Sequence, residues 1–231
     1  MDAVKYYCEI AANFHASYQK DANRLERVRV WEDFLNRYLA GAAFAYDIGC
    51  GSGVFACEMA RRGIETVGID GAAAMLAIAE KTARDSGLSN LRFQQQRLPI
   101  ANTTGFRQAD IIISSSAIEY FDSIPESLGF LHSLLKETGV VILSVSNRDS
   151  ISRKIVRWAH RLTGRPRYLG FLRHFMDVKD IKAALNAVGL TYLEHAYFGS
   201  ADRLNRFLGH FLPPRLSSNM IIIVARRESH G

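Results

Sequence analysis

Apolar positions along the chain follow two alternating rhythms. Short, nearly unbroken apolar runs occupy Phe44–Ile48, Ala109–Ser115 and residues 139–146 (GVVILSVS), as expected for strands covered on both faces by helices. Residues 65–69, 91–94, 190–198 and 219–226 predict further strands, seven in all. Helical spacing covers residues 4–18, 24–39, 54–62, 71–86, 127–137 and 178–188. Tyr6, Tyr7, Ile10, Phe14 and Tyr18 fall at mostly helical spacing in the first helix, and Val28, Trp31, Phe34, Leu35 and Tyr38 do so in the second. Gly87 and Gly189 stop two later helices. Regular alternation of strand and helix reads as βαβ units and a mainly parallel α/β sheet.

One stretch has chemistry as well as pattern. In residues 45–70 (AYDIGCGSGVFACEMARRGIETVGID) the first strand runs into a turn, Asp47-Ile48-Gly49-Cys50-Gly51-Ser52-Gly53. Its glycines allow positive φ and a close backbone approach, and the helix behind them presents its N-terminal N–H groups. The second strand ends at Asp70, where an acid can reach a ribose hydroxyl pair. The spacing differs from the G-x-G-x-x-G of dinucleotide folds.

The D-x-G-x-G-x-G turn followed by V-G-I-D resembles motifs I and II of the class I S-adenosylmethionine-dependent methyltransferases. The resemblance spans about residues 6–227, strongest over 47–70. It implies a Rossmann-like, seven-stranded sheet with an antiparallel edge hairpin, helices on both faces and an N-terminal helical lid over residues 1–40. The implied cofactor is S-adenosylmethionine, released as S-adenosylhomocysteine. Its expected site takes Tyr18 from the lid, Asp47, Gly49, Cys50, Gly51 and Gly53 from the turn, and Asp70, Gly71 and Met75 after the second strand. After the third strand the family carries a Gly-Asp pair whose acid accepts from the adenine amine. Here the segment is FQQQRLP, so Gln96 is the expected acceptor, flanked by Arg97 and Leu98.

The fourth strand ends in Ser114-Ser115-Ser116-Ala117-Ile118-Glu119-Tyr120. The family's common form there is F-D-x-I-x-x-S-x-x-L-E-H; in this chain Phe106 and Asp110 are spread apart and Tyr120 stands in place of the histidine. Ser114 and Ser115 are expected at the cofactor, Glu119 and Tyr120 at the acceptor. His174, in a segment resembling the family's H-F-x-T/S, is the expected base, with His15 on the lid as second choice.

Residues 150–175 hold Arg153, Lys154, Arg157, Arg161, Arg165, Arg167 and Arg173, with no acid from 151 to 175. Apolar Ile155, Val156, Trp158 and Leu162 interleave with them. Quinone-biosynthesis methyltransferases, the small-molecule branch this chain resembles, carry an insertion near this point that caps the substrate or touches the membrane. Arg157 and Arg161 are therefore expected to contact the acceptor, and the basic helix to lie on an anionic membrane or serve only as a solvated face.

Composition narrows the remaining classes. The 231 residues suit one domain with a full core; net charge is +6, and three cysteines show no metal-ligand spacing. No metal is expected, and neither is nucleic acid, because the N/D-P-P-Y/F signature of nucleobase-amine methylation is absent after the fourth strand. Acids and tyrosines in MDAVKYYCEI do not read as a signal peptide, so a cytoplasmic location is expected. The expected acceptor is a small, hydrophobic aromatic or lipid-like molecule, methylated at oxygen or else at a quinone-type ring carbon. A non-catalytic, cofactor-binding regulator is the alternative from another class. Oligomeric state is left open.

Overall fold

The computed structural model describes residues 2–100 and 103–228. Its sheet has seven strands: β1 (Phe44–Ile48), β2 (Glu65–Asp70), β3 (Leu91–Gln95), β4 (Ala109–Ser115), β5 (Leu135–Ser146), β6 (Leu190–Phe198) and β7 (Met220–Arg227). Their order is β3-β2-β1-β4-β5-β7-β6. The first five run parallel, while β7 is antiparallel to both β5 and β6. Strand order reverses between β1 and β4, so a crevice opens beyond their carboxyl ends.

Side-chain alternation in β1 divides the core. Phe44, Tyr46 and Ile48 face one layer with Val67, Ile69 and Ile112, covered by α5 (Ile124–Leu134) and α7 (Val178–Asn186). Ala45 faces the other with Ile111, Ile113 and Ile142, covered by α2 (Ala22–Tyr38) and α3 (Val54–Arg61). The C-terminal half of α2 supplies Trp31, Phe34 and Leu35 to that layer, and Trp31 stacks on Phe55. Its N-terminal half continues past the sheet to the crevice.

The first helix is attached differently. α1 (Ala3–Ser17) buries only Ala11 fully and lies on α4 (Ala73–Asp85), against Ala72 and Met75. It lines one side of the crevice with Tyr6, Tyr7, Ile10 and Phe14. Asp2 caps it by accepting from the Lys5 N–H.

Three boundaries differ from expectation. α5 begins at Ile124 because Ser123 accepts from the Glu126 N–H and Pro125 fits the first turn, so β5 starts at Leu135 where helix was expected. The basic stretch contains a single regular helix, α6 (Ile151–Thr163), stopped by Gly164 in a left-handed conformation. Between β6 and β7 the chain forms α8 (Arg203–Gly209) and α9 (Pro214–Ser217) rather than a simple connection; Asp202 caps α8 through the Asn205 N–H.

Trp31 is fully buried at the layer that joins α2 to the sheet. Trp31→Ala is expected to lower stability by about 3–5 kcal/mol, read from the midpoint of urea unfolding.

Candidate active site

The glycine turn is fixed by what passes behind it. Gly49 has φ +73, and a Cβ there would stand 2.2 Å from the Ala117 Cβ at the end of β4. Gly51 also has positive φ, and its N–H donates to Asp70 Oδ2 at 2.8 Å while the Ala72 N–H donates to Oδ1 at 2.8 Å. Two backbone N–H groups thus fix the Asp70 carboxylate at the mouth of the turn. Burial raises its pKa, against the lowering effect of those N–H groups.

A cavity of about 930 Å³ opens over this turn. Tyr18, Gly49, Gly51, Asp70, Gly71, Met75, Arg97, Leu98 and Ser115 line it, as do Glu119 and Tyr120. α1 closes one wall with Tyr7 and Phe14, and the Tyr7 and Tyr120 hydroxyls meet at 2.7 Å. Burial pushes the Tyr7 hydroxyl up to about 12 and the Tyr120 hydroxyl well above its ordinary value, so both remain protonated at neutral pH. Glu119 is buried in the turn after β4; burial raises its carboxyl, opposed by the Ser146 N–H and by Arg153 and Arg27.

Several expected residues stand outside this cavity. Asp47 lies behind the turn, 1% exposed, and neither of its oxygens has a hydrogen-bond partner. Burial, helped by the Asp70 charge, pushes its carboxyl up to about 8. Cys50 and Gly53 pack inward, Gly53 against Ala79 and Phe93. Ser114 is buried and donates to the Ile48 carbonyl, which ties β4 to β1. Gln96 is exposed and does not line the cavity; its backbone N–H donates to the Asp70 carbonyl.

The two histidines and two cap arginines need the same correction. His174 Nε2 lies 3.0 Å from the Phe121 carbonyl, which fixes it as a donor there, and the ring does not line the cavity. His15 Nδ1 instead meets the Ser52 hydroxyl at 3.1 Å. Arg157 lies over the Phe175 ring at 4.0 Å and Arg161 is exposed, both outside the cavity. The cations that do line it include Arg24, Arg27 and Arg153. The sequence reading missed Arg24 and Arg27, although both stand on the half of α2 that buries no residue fully. Phe207 and Phe211 are 61% and 74% exposed.

Among the described residues, no three His, Cys, Asp or Glu side chains gather as a metal-ligand group. None of the described helices is long and apolar enough to cross a membrane.

A sheet ordered β3-β2-β1-β4-β5-β7-β6 with a glycine turn and an acid at its switch point defines a class I methyltransferase fold. The chain belongs to the methyltransferase-domain family, whose model matches residues 24–195. The resemblance drawn from residues 47–53 and 67–70 to S-adenosylmethionine-dependent enzymes of the small-molecule branch therefore holds. A ubiquinone biosynthesis O-methyltransferase of Rhodopseudomonas palustris (strain BisB5) is 26% identical over 152 residues, 65% of this chain and 59% of that one. A malonyl-[acyl-carrier protein] O-methyltransferase of Pectobacterium atrosepticum is 29% identical over 170 residues, 64% of each chain. The matched regions thus span under two thirds of these relatives' length. Among solved structures, the magnesium protoporphyrin IX methyltransferase of Synechocystis PCC 6803, with bound SAH, superposes with a TM-score of 0.73 at 16% identity, covering 97% of this chain and 98% of that one. That likeness is one of fold.

Asp47 gives the site a pH signature. In the unfolded chain its carboxyl ionises near 3.8, in the folded chain near 8, so the folded state holds the extra proton between these values. Stability from this group is therefore full below the lower value and lost as pH rises through the upper one. Asp47→Asn is expected to raise the melting temperature, by an amount that grows from about pH 4 to pH 8, in scans of both proteins across that range.

Proposed function

We propose that the protein transfers the methyl group of S-adenosylmethionine to a small, apolar-bodied acceptor, most favourably at a hydroxyl oxygen. The observation that carries this reading is one cavity holding the glycine turn and Asp70 on one side and buried Glu119 and Tyr120 on the other. The cofactor fits what the residues offer. Asp70 stands where a ribose diol can donate to it, while Asp47, buried behind the turn without a partner and outside the cavity lining, would act on the cofactor's ammonium group only across the turn. Gly49, Gly51, Gly71, Met75, Arg97 and Leu98 would hold the remainder.

When bound, S-adenosylmethionine supplies a methyl group on a positively charged sulfur, already activated for in-line displacement. The chain's task is to align the acceptor and exclude water, which can account for roughly 7–11 kcal/mol of a barrier. α1 and the Tyr7–Tyr120 pair close the cavity for that purpose. Glu119 is the group suited to accept the acceptor hydroxyl's proton, since it lines the cavity and its raised pKa brings it nearer to neutral pH. The histidines stay as structural contacts.

α6 adds a peripheral role. Ile155, Trp158 and Leu162 are 50%, 64% and 70% exposed along a helix that also carries Lys154 and Arg161. α9 packs against both α6 and α8, and on the α8 segment Phe207 and Phe211 are exposed as well. Apolar side chains with interleaved cations suit an anionic bilayer, which would also bring an apolar acceptor close.

Glu119→Gln is expected to cut the rate of S-adenosylhomocysteine release by roughly 10²–10⁴-fold while cofactor affinity by calorimetry stays within about twofold. His174→Ala should stay within about threefold; product analysis across phenols, quinols and lipids distinguishes oxygen from carbon transfer. Cofactor binding without turnover on any acceptor would instead support a regulator. For the surface, co-sedimentation with phosphatidylglycerol-containing vesicles should exceed that with phosphatidylcholine alone and fall as salt rises. Trp158→Ser with Leu162→Ser should abolish it; undiminished sedimentation would leave α6 a solvated helix.

A further inference from the structure

Five arginines and five acids line the cavity, but they are not matched in pairs. Arg97 pairs with Asp2 and Arg173 with Asp122 at the rim. Asp70 is held at the glycine turn by the Gly51 and Ala72 N–H groups and is in no ion pair among the described residues. Asp47 is pushed up to about 8, so it adds little charge at neutral pH. Arg24, Arg27 and Arg153 form no ion pair within 4.0 Å among the described residues.

Their environments separate them. Arg24 lies over the Phe14 and Tyr18 rings at 4.2 and 5.0 Å, on the α1 side. Among the described residues Arg27 donates to the Ser115 and Ser116 hydroxyls, at 3.0 and 2.9 Å, at the tip of β4. Arg153 reaches in from α6 and donates to the Tyr168 hydroxyl at 2.7 Å, with Met220 Sδ at 3.2 Å and the Asn219 carbonyl at 3.4 Å. Arg27 and Arg153 thus hold buried or half-buried guanidinium groups against neutral partners. A desolvated guanidinium so placed is costly, and burial accordingly depresses the Arg27 pKa.

Charge counting shows what would complete the cluster. Glu119 can offset one charge of the Arg27 and Arg153 pair, and a bound S-adenosylmethionine offsets neither, since its carboxylate is outweighed by its ammonium and its sulfonium. At least one guanidinium is left over. The walls nearby are Phe198, Met220, Tyr168 and Phe171, which suit an apolar or aromatic body.

Resting on the methyltransferase reading above, we propose that Arg27 and Arg153 together bind an oxyanion carried by the acceptor, a carboxylate or a phosphate. The guanidinium fork offers paired N–H donors to either group. Ser116 supports the arrangement from the backbone: it has φ +56, unusual for a side-chain-bearing residue, and in that conformation its hydroxyl meets Arg27. Arg153, on the cap, contributes from the acceptor side, so the pair would fix the acceptor's orientation rather than the cofactor's.

The test uses the full chain preloaded with saturating S-adenosylhomocysteine, so that the cofactor's own carboxylate is already in place. Benzoate, benzamide and inorganic phosphate are then titrated at constant ionic strength by ligand-observed NMR. Benzoate or phosphate should bind about tenfold or more tighter than benzamide, and the tighter of the two identifies the anion. Arg27→Gln and Arg153→Gln should each remove that preference, with S-adenosylhomocysteine affinity within about twofold of the unaltered chain, while Arg161→Gln should keep the preference. Neither anion outbinding benzamide, or a preference that survives Arg27→Gln with Arg153→Gln, would overturn the proposal. Failure of S-adenosylhomocysteine to bind at all would overturn the methyltransferase reading instead, and is read separately in the loading step.

Discussion

At the carboxyl ends of β1 and β4 two backbone turns approach so closely that only a missing side chain lets them pass. Gly49 has no Cβ, and one built there would overlap Ala117. That contact sets β4 beside β1, aligns the Ser114 hydroxyl with the Ile48 carbonyl and leads the chain through strained Ser116 into Glu119 and Tyr120. The glycine-turn side and the Glu119–Tyr120 side of the cavity are thus two sides of one steric constraint.

Burial then gives the acids of this crevice different tasks. Asp70 keeps its charge supported by two N–H groups, Glu119 by one N–H and distant cations, and Asp47 by no hydrogen bond that meets ordinary geometry. A carboxylate with no partner inside a protein is costly. It is tolerated here in the strand that the sheet's centre depends on, where stability is greatest, and it is the group best placed to respond when a cation arrives.

How much of this could be read from the sequence depends on range. The central strands announced themselves because their apolar runs are nearly continuous, and the turn because three glycines and two acids fall at fixed offsets in residues 47–70. Gln96 and His174 were misplaced for a shared reason. Each occupies a motif position whose side-chain direction is set by backbone contacts from elsewhere, Asp70 in one case and Phe121 in the other. Arg27 was invisible because its meaning comes from Ser115 and Ser116, almost ninety residues later in the chain. The start of α5, by contrast, was misread although its cap is local: Ser123 and Pro125 are stronger signals than the apolar periodicity that follows.

α1 spans the cavity with one fully buried residue, while α2 beside it is anchored through Trp31, Phe34 and Leu35. Detaching α1 therefore exposes little of either main core layer, since its apolar contacts are with α4 and with the rings of Tyr120 and Phe171. Local opening free energies follow how much packed surface is given up. Amide exchange along α1 can consequently run through a small fluctuation that leaves the sheet folded, whereas exchange in β1 and β4 requires the whole molecule to come apart. Detachment of α1 and survival of the fold are governed by separate equilibria, one shallow and one deep, within a single chain.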